Sequence, residues 1–417
     1  MANTRRRRRK RKAKWSTKKK VIVAFVSIVF AFLLAIVGVA VSKYKKIEHI
    51  EIEPEKLELS ITEEVERKTG YFNVALFGLD SRDGGLGKGN RSDTMIVASL
   101  NHETGEVKLV SVYRDTLLKL NDGSYNKANA AYAFYGPEGA VTLLNQNLDM
   151  NIDRYVTVNF NALVDVIDAL GGMDITLTYE EVVHMNNYCV ETSKVTGKSY
   201  EKIEPEKAGT YHLNGVQAVS YSRIRYTAGG DIERAARQRL VLGNIAEKAQ
   251  NMDLATINKI IDSVFPQIAT NFTLPEMLTY AKDYKEYYLG ESIGFPSQRT
   301  SKTLHILGST EIANTLCTNV AEVHKFLFGI DNYEVSDTVK GIDNEIWNRL
   351  SSGYYDVPEN VVQTEDNQTN NNTSSGSSSS GGNNTTGGTS SGSTSTGGSS
   401  SGGNSNYFEE EYYYGDE

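Results

Sequence analysis

Aspartates and arginines are the residues of this 417-residue chain whose positions could support chemistry. Asp80 directly follows the apolar segment YFNVALFGL, Asp93 directly precedes TMIVASLN, and Arg114 directly follows VKLVSVY. The three segments are short and rich in β-branched and aromatic residues, so we predict that each is a strand. Open α/β sheets bind ligands where strands end, and we therefore expect these charged side chains to belong to a binding site.

A second group of charged residues lies between positions 222 and 238. Arg223 and Arg225 are two positions apart, so in an extended segment their guanidinium groups would point the same way. Asp231, Arg234 and Gln238 follow on one predicted helix, and the last two are one helical turn apart. This spacing predicts that several basic groups face one ligand.

Each of these residues also has an ordinary structural explanation. Asp231 would suit a helix N-cap, Asp80 and Asp93 could be loop acids, and Arg82 and Arg91 could be solvated.

The net charge of −8 becomes about −20 without the twelve basic residues of 1–20, so a cluster of arginines is unexpected in the rest of the chain. Their clustering predicts a site for a multiply charged anion. Arginine binds phosphate in a bidentate way, and two carboxylates beside a pyrophosphate suit Mg²⁺.

The sequence lacks the motifs of several enzyme classes: it has no Gly-x-Ser-x-Gly, no His-Glu-x-x-His, no Walker loop and no cluster among its six histidines. Cys189 and Cys317 are too far apart in sequence to indicate a zinc site. They could form one disulfide, but nothing in the sequence places them together, so two unrelated cysteines are favoured. The glycine-rich stretch 84–89 lacks the strand-to-helix context of a phosphate-binding loop, which favours a mobile lid.

The elements that must position these residues are predicted to form one domain at 71–330. Strands and helices mix along it, which favours an α/β or α+β architecture over a sandwich or a bundle. The helix predicted from Asp231 to Gln250 repeats Ile232, Ala236 and Leu240 every four residues, which predicts an inward apolar stripe. Within the domain we predict an inserted loop at 179–209. Before the domain we predict a stalk at 43–70, and after it a C-terminal extension at 331–363 and a disordered Ser/Gly/Asn-rich tail with an acidic aromatic end at 364–417.

The N-terminal part has the pattern of a membrane anchor. Residues 1–20 form a basic arm, and residues 21–42 are uncharged and about as long as the ~20 residues that a membrane-spanning helix needs. The larger basic cluster comes first, which predicts a cytoplasmic N-terminus and an extracellular domain. A cleaved signal peptide would have a shorter apolar segment. Because the arm adjoins this segment, topology and lipid attraction are favoured over nucleic-acid binding.

Seven segments resemble the LytR-CpsA-Psr family of mainly Gram-positive bacteria. They occur in the family's order from about Tyr71 to Leu240, and their combination is far more specific than any single motif. The segments are LFGLDSR, NRSDTMIVASLN, VKLVSVYRDT, NKANAAYAFYG, VNFNALVDVIDALGG, LNGVQAVSYSRIR and DIERAARQR.

This resemblance implies a fold and a set of roles. The fold would be a central mixed β-sheet flanked by helices, with an apolar tunnel for a lipid tail. Asp80 and Asp93 would be ligands of Mg²⁺ or Mn²⁺, and Asp231 would orient the arginines. The residues implied in catalysis are Arg114, Arg223, Arg225 and Asp231. Those implied in binding pyrophosphate are Arg82, Arg91, Lys127, Arg234 and Gln238.

The implied reaction transfers an anionic glycopolymer, either teichoic acid or a capsular or secondary wall polysaccharide, from a polyprenyl-pyrophosphate carrier to peptidoglycan through a phosphodiester. Its partners would be that donor, peptidoglycan and the cell membrane, without nucleic acid. Two alternatives remain open: a pyrophosphatase that uses water as the acceptor, and a non-catalytic envelope regulator. The shared motifs do not explain residues 179–209 or the tail.

Overall fold

The structure is a computed structural model that describes residues 38–57, 70–81 and 84–356. The strands of its central sheet are β1 (Glu48–His49), β2 (Tyr71–Leu79), β3 (Ser92–Asn101), β4 (Glu106–Val112), β7 (Arg154–Asn159), β10 (Ile268–Thr270) and β11 (Tyr288–Phe295). Three smaller sheets pair β5 (Leu117–Lys119) with β6 (Tyr125–Lys127), β8 (Met173–Leu177) with β9 (Gly209–Leu213), and β12 (Arg299–Leu304) with β13 (Gly308–Ala313).

The central sheet is mixed, in the order β1-β10-β7-β2-β3-β4-β11. Strand β2 runs parallel to β7 and antiparallel to β3, which is in turn antiparallel to β4. The three strands predicted first from the sequence are β2, β3 and β4, and the mixed α/β architecture is confirmed. Because β3 starts where β2 and β4 end, the charged residues that follow or begin these strands meet at one edge of the sheet.

The helices flank this sheet and build two cores. They are α1 (Ala130–Leu148), α2 (Phe160–Ala169), α3 (Tyr179–Thr196), α4 (Gly215–Arg223), α5 (Gly230–Gln250), α6 (Leu254–Val264), α7 (Leu274–Lys282), α8 (Leu316–Phe328) and α9 (Asp337–Ser351). One core joins the central sheet to α1, α8 and α9. The other joins α2, α3 and α4 to the β8–β9 hairpin. Cys189 and Cys317 lie in different cores as free thiols.

Residues predicted as a stalk or an extension belong partly to the folded domain. Ile47, Ile52 and Leu57 are buried, and β1 pairs with β10, so at least 47–57 is not a free stalk. The beginning of the predicted stalk also docks on α6, because Lys43 and Lys46 pair with Asp262. Beyond residue 330, α9 packs on α1 and α8. The sequence did not predict these associations for two reasons. Short polar segments show no hydrophobic periodicity, and the partners of these segments are distant in the chain.

The predicted inserted loop at 179–209 is wrong for its first half, which is helix α3. Thr178 caps the helix, since its hydroxyl accepts a hydrogen bond from the Glu181 N–H while the Glu181 carboxylate accepts from the Thr178 N–H. The inward face combines apolar residues with Asn186 and Thr192. Polar residues at buried positions weakened the 3.6-residue pattern that identifies an amphipathic helix.

The basic arm, most of the predicted membrane segment and the tail lie outside the described residues. Of residues 21–42, only 38–42 are described, and they belong to a helical stretch at 38–44. None of the helices within the described ranges combines the length and apolar character that a bilayer crossing requires. The anchor and the location of the domain therefore stay predictions.

Two glycines between α2 and β8 allow a matched test of packing. Gly171 and Gly172 both have φ of 79°, which is strained for other residues, but only at Gly172 would a Cβ lie 2.6 Å from His212 Nε2 and 2.7 Å from the Leu213 carbonyl oxygen. We expect Gly172→Ala to lower the free energy of unfolding by about 1–3 kcal/mol from backbone strain, plus the cost of this clash. Gly171→Ala, which meets nothing within 4 Å, should show the strain alone. Denaturant unfolding measures both, and equal losses would contradict the predicted clash.

His212 should retain its proton at pH values where a free histidine has lost it. Its Nδ1 lies 2.7 Å from Asp174 Oδ1 and its Nε2 lies 2.8 Å from the Gly171 carbonyl oxygen. These hydrogen bonds, with Asp174 as the larger cause, raise the pKa of His212 above its usual 6.5. Protonation therefore stabilises the fold below pH 6.5, and this contribution disappears as the pH rises through the folded-state pKa. An NMR titration should give a pKa above 6.5 that falls in Asp174→Asn; an unchanged value in that variant would be inconsistent.

Candidate active site

The site begins at a β-bulge between β2 and β3. Gly78 pairs with Thr94 and Leu79 pairs with Ser92, so Asp93 is the extra residue between them. A bulge of this kind re-aims a side chain out of the regular alternation. Asp80 follows the last residue of β2, and both predicted metal ligands thus lie at the same end of one strand pair.

Arg114 lies at the centre of the charged cluster. It follows β4 and its Nη1 donates a hydrogen bond to Asp93 Oδ1 at 2.5 Å. Its Nε lies 3.6 Å from Asp115 Oδ2 and 3.7 Å from Asp231 Oδ1. Burial would lower the pKa of Arg114, but these three carboxylates outweigh it and raise the pKa. Arg114 is therefore a fixed cation that joins β3, β4 and α5.

Asp115 is a site residue that was not selected from the sequence. Lys127 Nζ lies 3.2 Å from its Oδ1 and Arg225 Nη2 lies 3.4 Å from its Oδ2. Burial would raise the pKa of Asp115, but Arg114, Lys127 and Arg225 outweigh it, and the pKa lies below the ordinary range. Its place beside Arg114 at the end of a predicted strand was the available sequence signal. Only the fold shows that Lys127 and Arg225 converge on it.

Asp231 and Arg234 form the most buried ion pair of the cluster. Asp231 lies in the first turn of α5, after an N-cap formed by Gly229, so it is not the N-cap suggested by the sequence. Its Oδ1 pairs with Arg234 Nη2, and the two side chains are 8% and 4% exposed. Burial raises the pKa of Asp231, and burial with repulsion from Arg114 lowers the pKa of Arg234 to about 10. Both shifts are in the direction of the neutral forms, and burial is the largest cause of each.

The buried face of α5 is basic, which contradicts the predicted apolar stripe. Arg234, Arg237 and Val241 are buried, whereas Leu240 is 44% exposed. Arg237 donates to Glu181 Oε1 at 2.9 Å and to the Ile224 carbonyl oxygen at 3.2 Å. Ion pairing across elements thus decided the helix orientation, and a hydrophobic pattern cannot report such pairing.

Arg223 and Arg225 do not extend from one strand as predicted. Arg223 ends helix α4, and its Nη2 lies 2.8 Å from Glu191 Oε2 and 3.5 Å from Asp80 Oδ2. Arg225 lies after the helix, with Nη2 3.4 Å from Asp115 and Nε 3.9 Å from Asp231. The two guanidinium groups therefore contact different carboxylates, Arg223 on the Asp80 side and Arg225 on the Asp115 side.

The remaining predicted residues differ in their placement. Lys127 ends strand β6 and contacts Asp115. Gln238 is half-buried one turn after Arg234 on α5. Arg91 is exposed and pairs with no residue that the structure describes, and Arg82 lies outside the described residues. The cluster is thus built from a subset of the predicted residues, with Asp115 and Glu191 added.

The glycine-rich stretch between the two aspartates is held against helix α1. Tyr132 Oη donates a hydrogen bond to the Leu86 carbonyl oxygen at 2.6 Å, and the Gly89 N–H donates to the Ala133 carbonyl oxygen at 2.9 Å. Leu86 is buried in the main core. Residues 86–89 are therefore attached at two points, whereas the sequence favoured a mobile lid.

An open cleft of about 540 Å³ lies elsewhere, between Glu55, Lys56 and the start of α1. Its lining includes Lys56, Lys88, Phe134 and Tyr135 and contains no member of the charged cluster. This mixed lining differs from the apolar tunnel that the resemblance implies, and the tunnel stays a prediction. The charge arrangement, not this cleft, identifies the candidate site.

The cluster as a whole suits a polyanion and a divalent ion together. It contains five basic side chains, Arg114, Lys127, Arg223, Arg225 and Arg234, and five acidic ones, Asp80, Asp93, Asp115, Asp231 and Glu191. Their formal charges cancel, and each basic group has at least one carboxylate neighbour. Arginines held in this way can present their remaining N–H groups to phosphate oxygens without reorganising first.

The sequence is similar to those of known proteins. Biofilm regulatory protein A of Streptococcus mutans serotype c is 32% identical over 231 residues, 51% of this chain and 54% of that protein. The polyisoprenyl-teichoic acid–peptidoglycan teichoic acid transferase TagU of Enterococcus faecalis is 29% identical over 276 residues, 64% of this chain and 84% of that protein. The match therefore spans about half of the first relative's length and most of the second's.

The fold also agrees with solved structures. The structure of protein gbs0355 from Streptococcus agalactiae superposes with a TM-score of 0.54 at 27% identity, covering 69% of this chain and 97% of that chain. The model of the LytR_cpsA_psr family matches residues 33–295, which is more than half of the sequence and includes every element that contributes to the charged cluster. The chain belongs to the LytR_cpsA_psr family.

Proposed function

We propose that this protein is a phosphotransferase that moves a teichoic acid or a related anionic glycopolymer from a polyprenyl-pyrophosphate carrier to peptidoglycan. The observation that supports it most is the interlocked cluster in which Arg114, Arg225 and Arg234 share the carboxylates of Asp115 and Asp231 at one sheet edge. The Enterococcus faecalis relative is named as a transferase of this kind. A related capsular or secondary wall polysaccharide would satisfy the same phosphate chemistry.

The reaction needs positioning and charge more than covalent help. An acceptor hydroxyl oxygen forms a bond to the phosphorus that carries the glycan, the bond from that phosphorus to the bridging oxygen breaks, and polyprenyl monophosphate leaves as the hydroxyl loses its proton. Negative charge develops on the leaving phosphate and on the equatorial oxygens. Arg225 and Arg114 would stabilise that charge, because fixed cations aimed at developing charge lower the barrier.

Asp80 and Asp93 would hold Mg²⁺ or Mn²⁺ as a cofactor, because both lie at the same end of the β2–β3 strand pair. Asp80 and Asp93 offer carboxylate oxygens, and within the described part of the chain no three His, Cys, Asp or Glu side chains are arranged to hold a metal. A bound ion would take its other ligands from phosphate and water, which is the usual mode for Mg²⁺. It would neutralise phosphate charge. Since the cluster is formally neutral, one divalent ion and one doubly charged pyrophosphate diester would leave it neutral.

The predicted anchor gives the site access to its donor. The proposed location is the cell membrane, with the N-terminus cytoplasmic and the domain outside. The carrier lipid lies in the same bilayer, so a tethered domain would meet it at a raised effective concentration. Lys43 and Lys46 hold the beginning of the described chain to α6, which would limit how far the domain turns about this tether.

The test is reconstitution of the full-length protein with a polyprenyl-pyrophosphate-linked saccharide, peptidoglycan and Mg²⁺. The expected product is saccharide joined to peptidoglycan by a phosphodiester, with formation reduced by EDTA and restored by Mg²⁺ or Mn²⁺. Lipid monophosphate without a phosphodiester would identify a hydrolase instead. If neither the donor nor the acceptor is consumed, the protein is not an enzyme of this kind, and a regulatory function is the remaining alternative.

A further inference from the structure

Aromatic side chains form a shelf beside Arg223 that phosphate chemistry does not explain. The shelf consists of His184 and Tyr188 on α3 and Tyr226 in the segment between α4 and α5. The Tyr188 and Tyr226 rings are stacked with centroids 6.5 Å apart, and the His184 ring lies 6.2 Å from Tyr226. Because His184 and Tyr188 are four residues apart on a helix, they present one continuous surface.

The shelf is continuous with the charged cluster. The Arg223 guanidinium lies over the Tyr188 ring, 5.5 Å from its centroid, and over the Phe160 ring at 4.6 Å. Tyr226 directly follows Arg225 in the chain. Burial raises the pKa of Tyr188, and the positive charges of Arg223, Arg225 and Arg234 act against that shift. A ligand held by these arginines would extend over the shelf.

Tyr226 is exposed although its backbone is held in place. Its side chain is 71% exposed, which is unusual for a large aromatic residue. The next residue, Thr227, accepts a hydrogen bond from Arg237 Nη2 at 2.7 Å through its hydroxyl and from the Gly230 N–H at 3.1 Å through its carbonyl oxygen. A tyrosine on an anchored segment offers a large contact area with only two rotatable side-chain bonds to order on binding, which lowers the cost in conformational entropy.

We propose that the shelf of His184, Tyr188 and Tyr226 binds the sugar attached to the donor's pyrophosphate. This inference rests on the proposed function and adds a residue-level basis for glycan choice. A pyranose ring has an apolar face of C–H groups that packs on an aromatic ring, while its hydroxyls stay in contact with water or polar groups. The donor sugar is joined to its phosphate by one oxygen, so it must lie directly beside the arginines that hold that phosphate. The shelf occupies that position.

The shelf also explains the structure of residues 179–196. These residues form α3, whose inner face packs in the second core; His184 and Tyr188 are half-buried, and Tyr188 contacts both this core and Arg223. Glu191, one turn beyond Tyr188, pairs with Arg223 and ties this helix to the cluster. Substitutions at His184 and Tyr188 on α3 would therefore change the sugar contacts and leave the phosphate-binding residues that follow β4 or lie on α4 and α5 in place.

The test compares binding of two water-soluble short-chain ligands to the full-length protein in Mg²⁺: a prenyl pyrophosphate that carries a disaccharide and the same prenyl pyrophosphate without sugar. Tyr226→Ala should weaken binding of the first about 3- to 10-fold, as expected for one aromatic contact, and leave the second unchanged. Tyr226→Phe should retain wild-type binding because the ring is kept. Tyr179→Ala is the matched control, since Tyr179 is also an exposed tyrosine (58%) and lies at the start of α3, outside the shelf.

Two results would overturn the inference. Equal binding of the disaccharide ligand by wild type and Tyr226→Ala would show that the shelf does not contact the donor sugar. A rise only in the KM for peptidoglycan fragments would assign the shelf to the acceptor. Because binding is measured without turnover, a protein that binds both ligands but transfers nothing would contradict the proposed function while the shelf could still be confirmed.

Discussion

Arg225→Ala is expected to lower the rate of glycopolymer transfer by about 10²–10³-fold while the protein stays folded. Arg225 is 42% exposed, and its ion pairs with Asp115 and Asp231 span 3.4 Å and 3.9 Å. Most of its guanidinium therefore remains able to contact a phosphate. The same exposure means that its removal should change the free energy of unfolding by less than about 1 kcal/mol.

Arg154→Ala is the control for this variant. Arg154 is also ion-paired, with Nη2 2.7 Å from Glu276, but it lies at the opposite end of β7 from the site. Its loss should leave transfer unchanged. Transfer assays under single-turnover conditions, with denaturant unfolding of each variant, separate chemistry from folding. Undiminished transfer by Arg225→Ala would remove Arg225 from the catalytic residues.

Asp231→Ala is expected to destabilise the fold by about 3–5 kcal/mol, because it leaves the Arg234 guanidinium buried without its partner. Transfer should fall as well, since Arg114 and Arg225 both lie within 4 Å of the same carboxylate oxygen. An exposed pair gives the comparison: Asp331→Ala removes the carboxylate opposite Lys325, and both side chains are at least 69% exposed. That variant should cost less than about 1 kcal/mol.

The double variant Asp231→Leu with Arg234→Met separates stability from function. Both pKa shifts show that burial opposes the charged forms of this pair, so apolar residues of similar size should restore most of the stability that Asp231→Ala loses. Transfer should stay low, because neither the arginine nor its partner is present. Unfolding that is no easier in Asp231→Ala than in Asp331→Ala would contradict the inferred role of this pair.

Several parts of the fold were predictable because their signals are local. The segments that became β2, β3 and β4 are short and rich in β-branched and aromatic residues, and such segments form strands wherever a sheet can cover them. The end of α2 is also locally encoded, since Gly171 and Gly172 both adopt positive φ, which glycine does without steric cost. Family membership followed from the order of seven motifs and is confirmed.

Other parts depended on contacts that the sequence does not contain. Strand β1 is only two residues long and exists because β10, more than 200 residues later, pairs with it. Helix α5 turns Arg234 and Arg237 inward because Asp231 and Glu181 are there to receive them. Periodicity reports hydrophobicity and is silent about charge partners, so the apolar stripe was assigned to the wrong side.

By itself, the sequence predicted the chemistry: aspartates and arginines at strand ends and helix starts, in an otherwise acidic chain, predict a site for phosphate with a divalent ion. The tertiary structure alone decided how these groups are shared, with Asp115 joining Arg114, Lys127 and Arg225, and Arg223 turned toward Asp80, Glu191 and the aromatic shelf. Residue type fixes which interactions a side chain can make. Which partner it meets depends on chain segments far apart in sequence, and only the packing of sheet and helices brings them together.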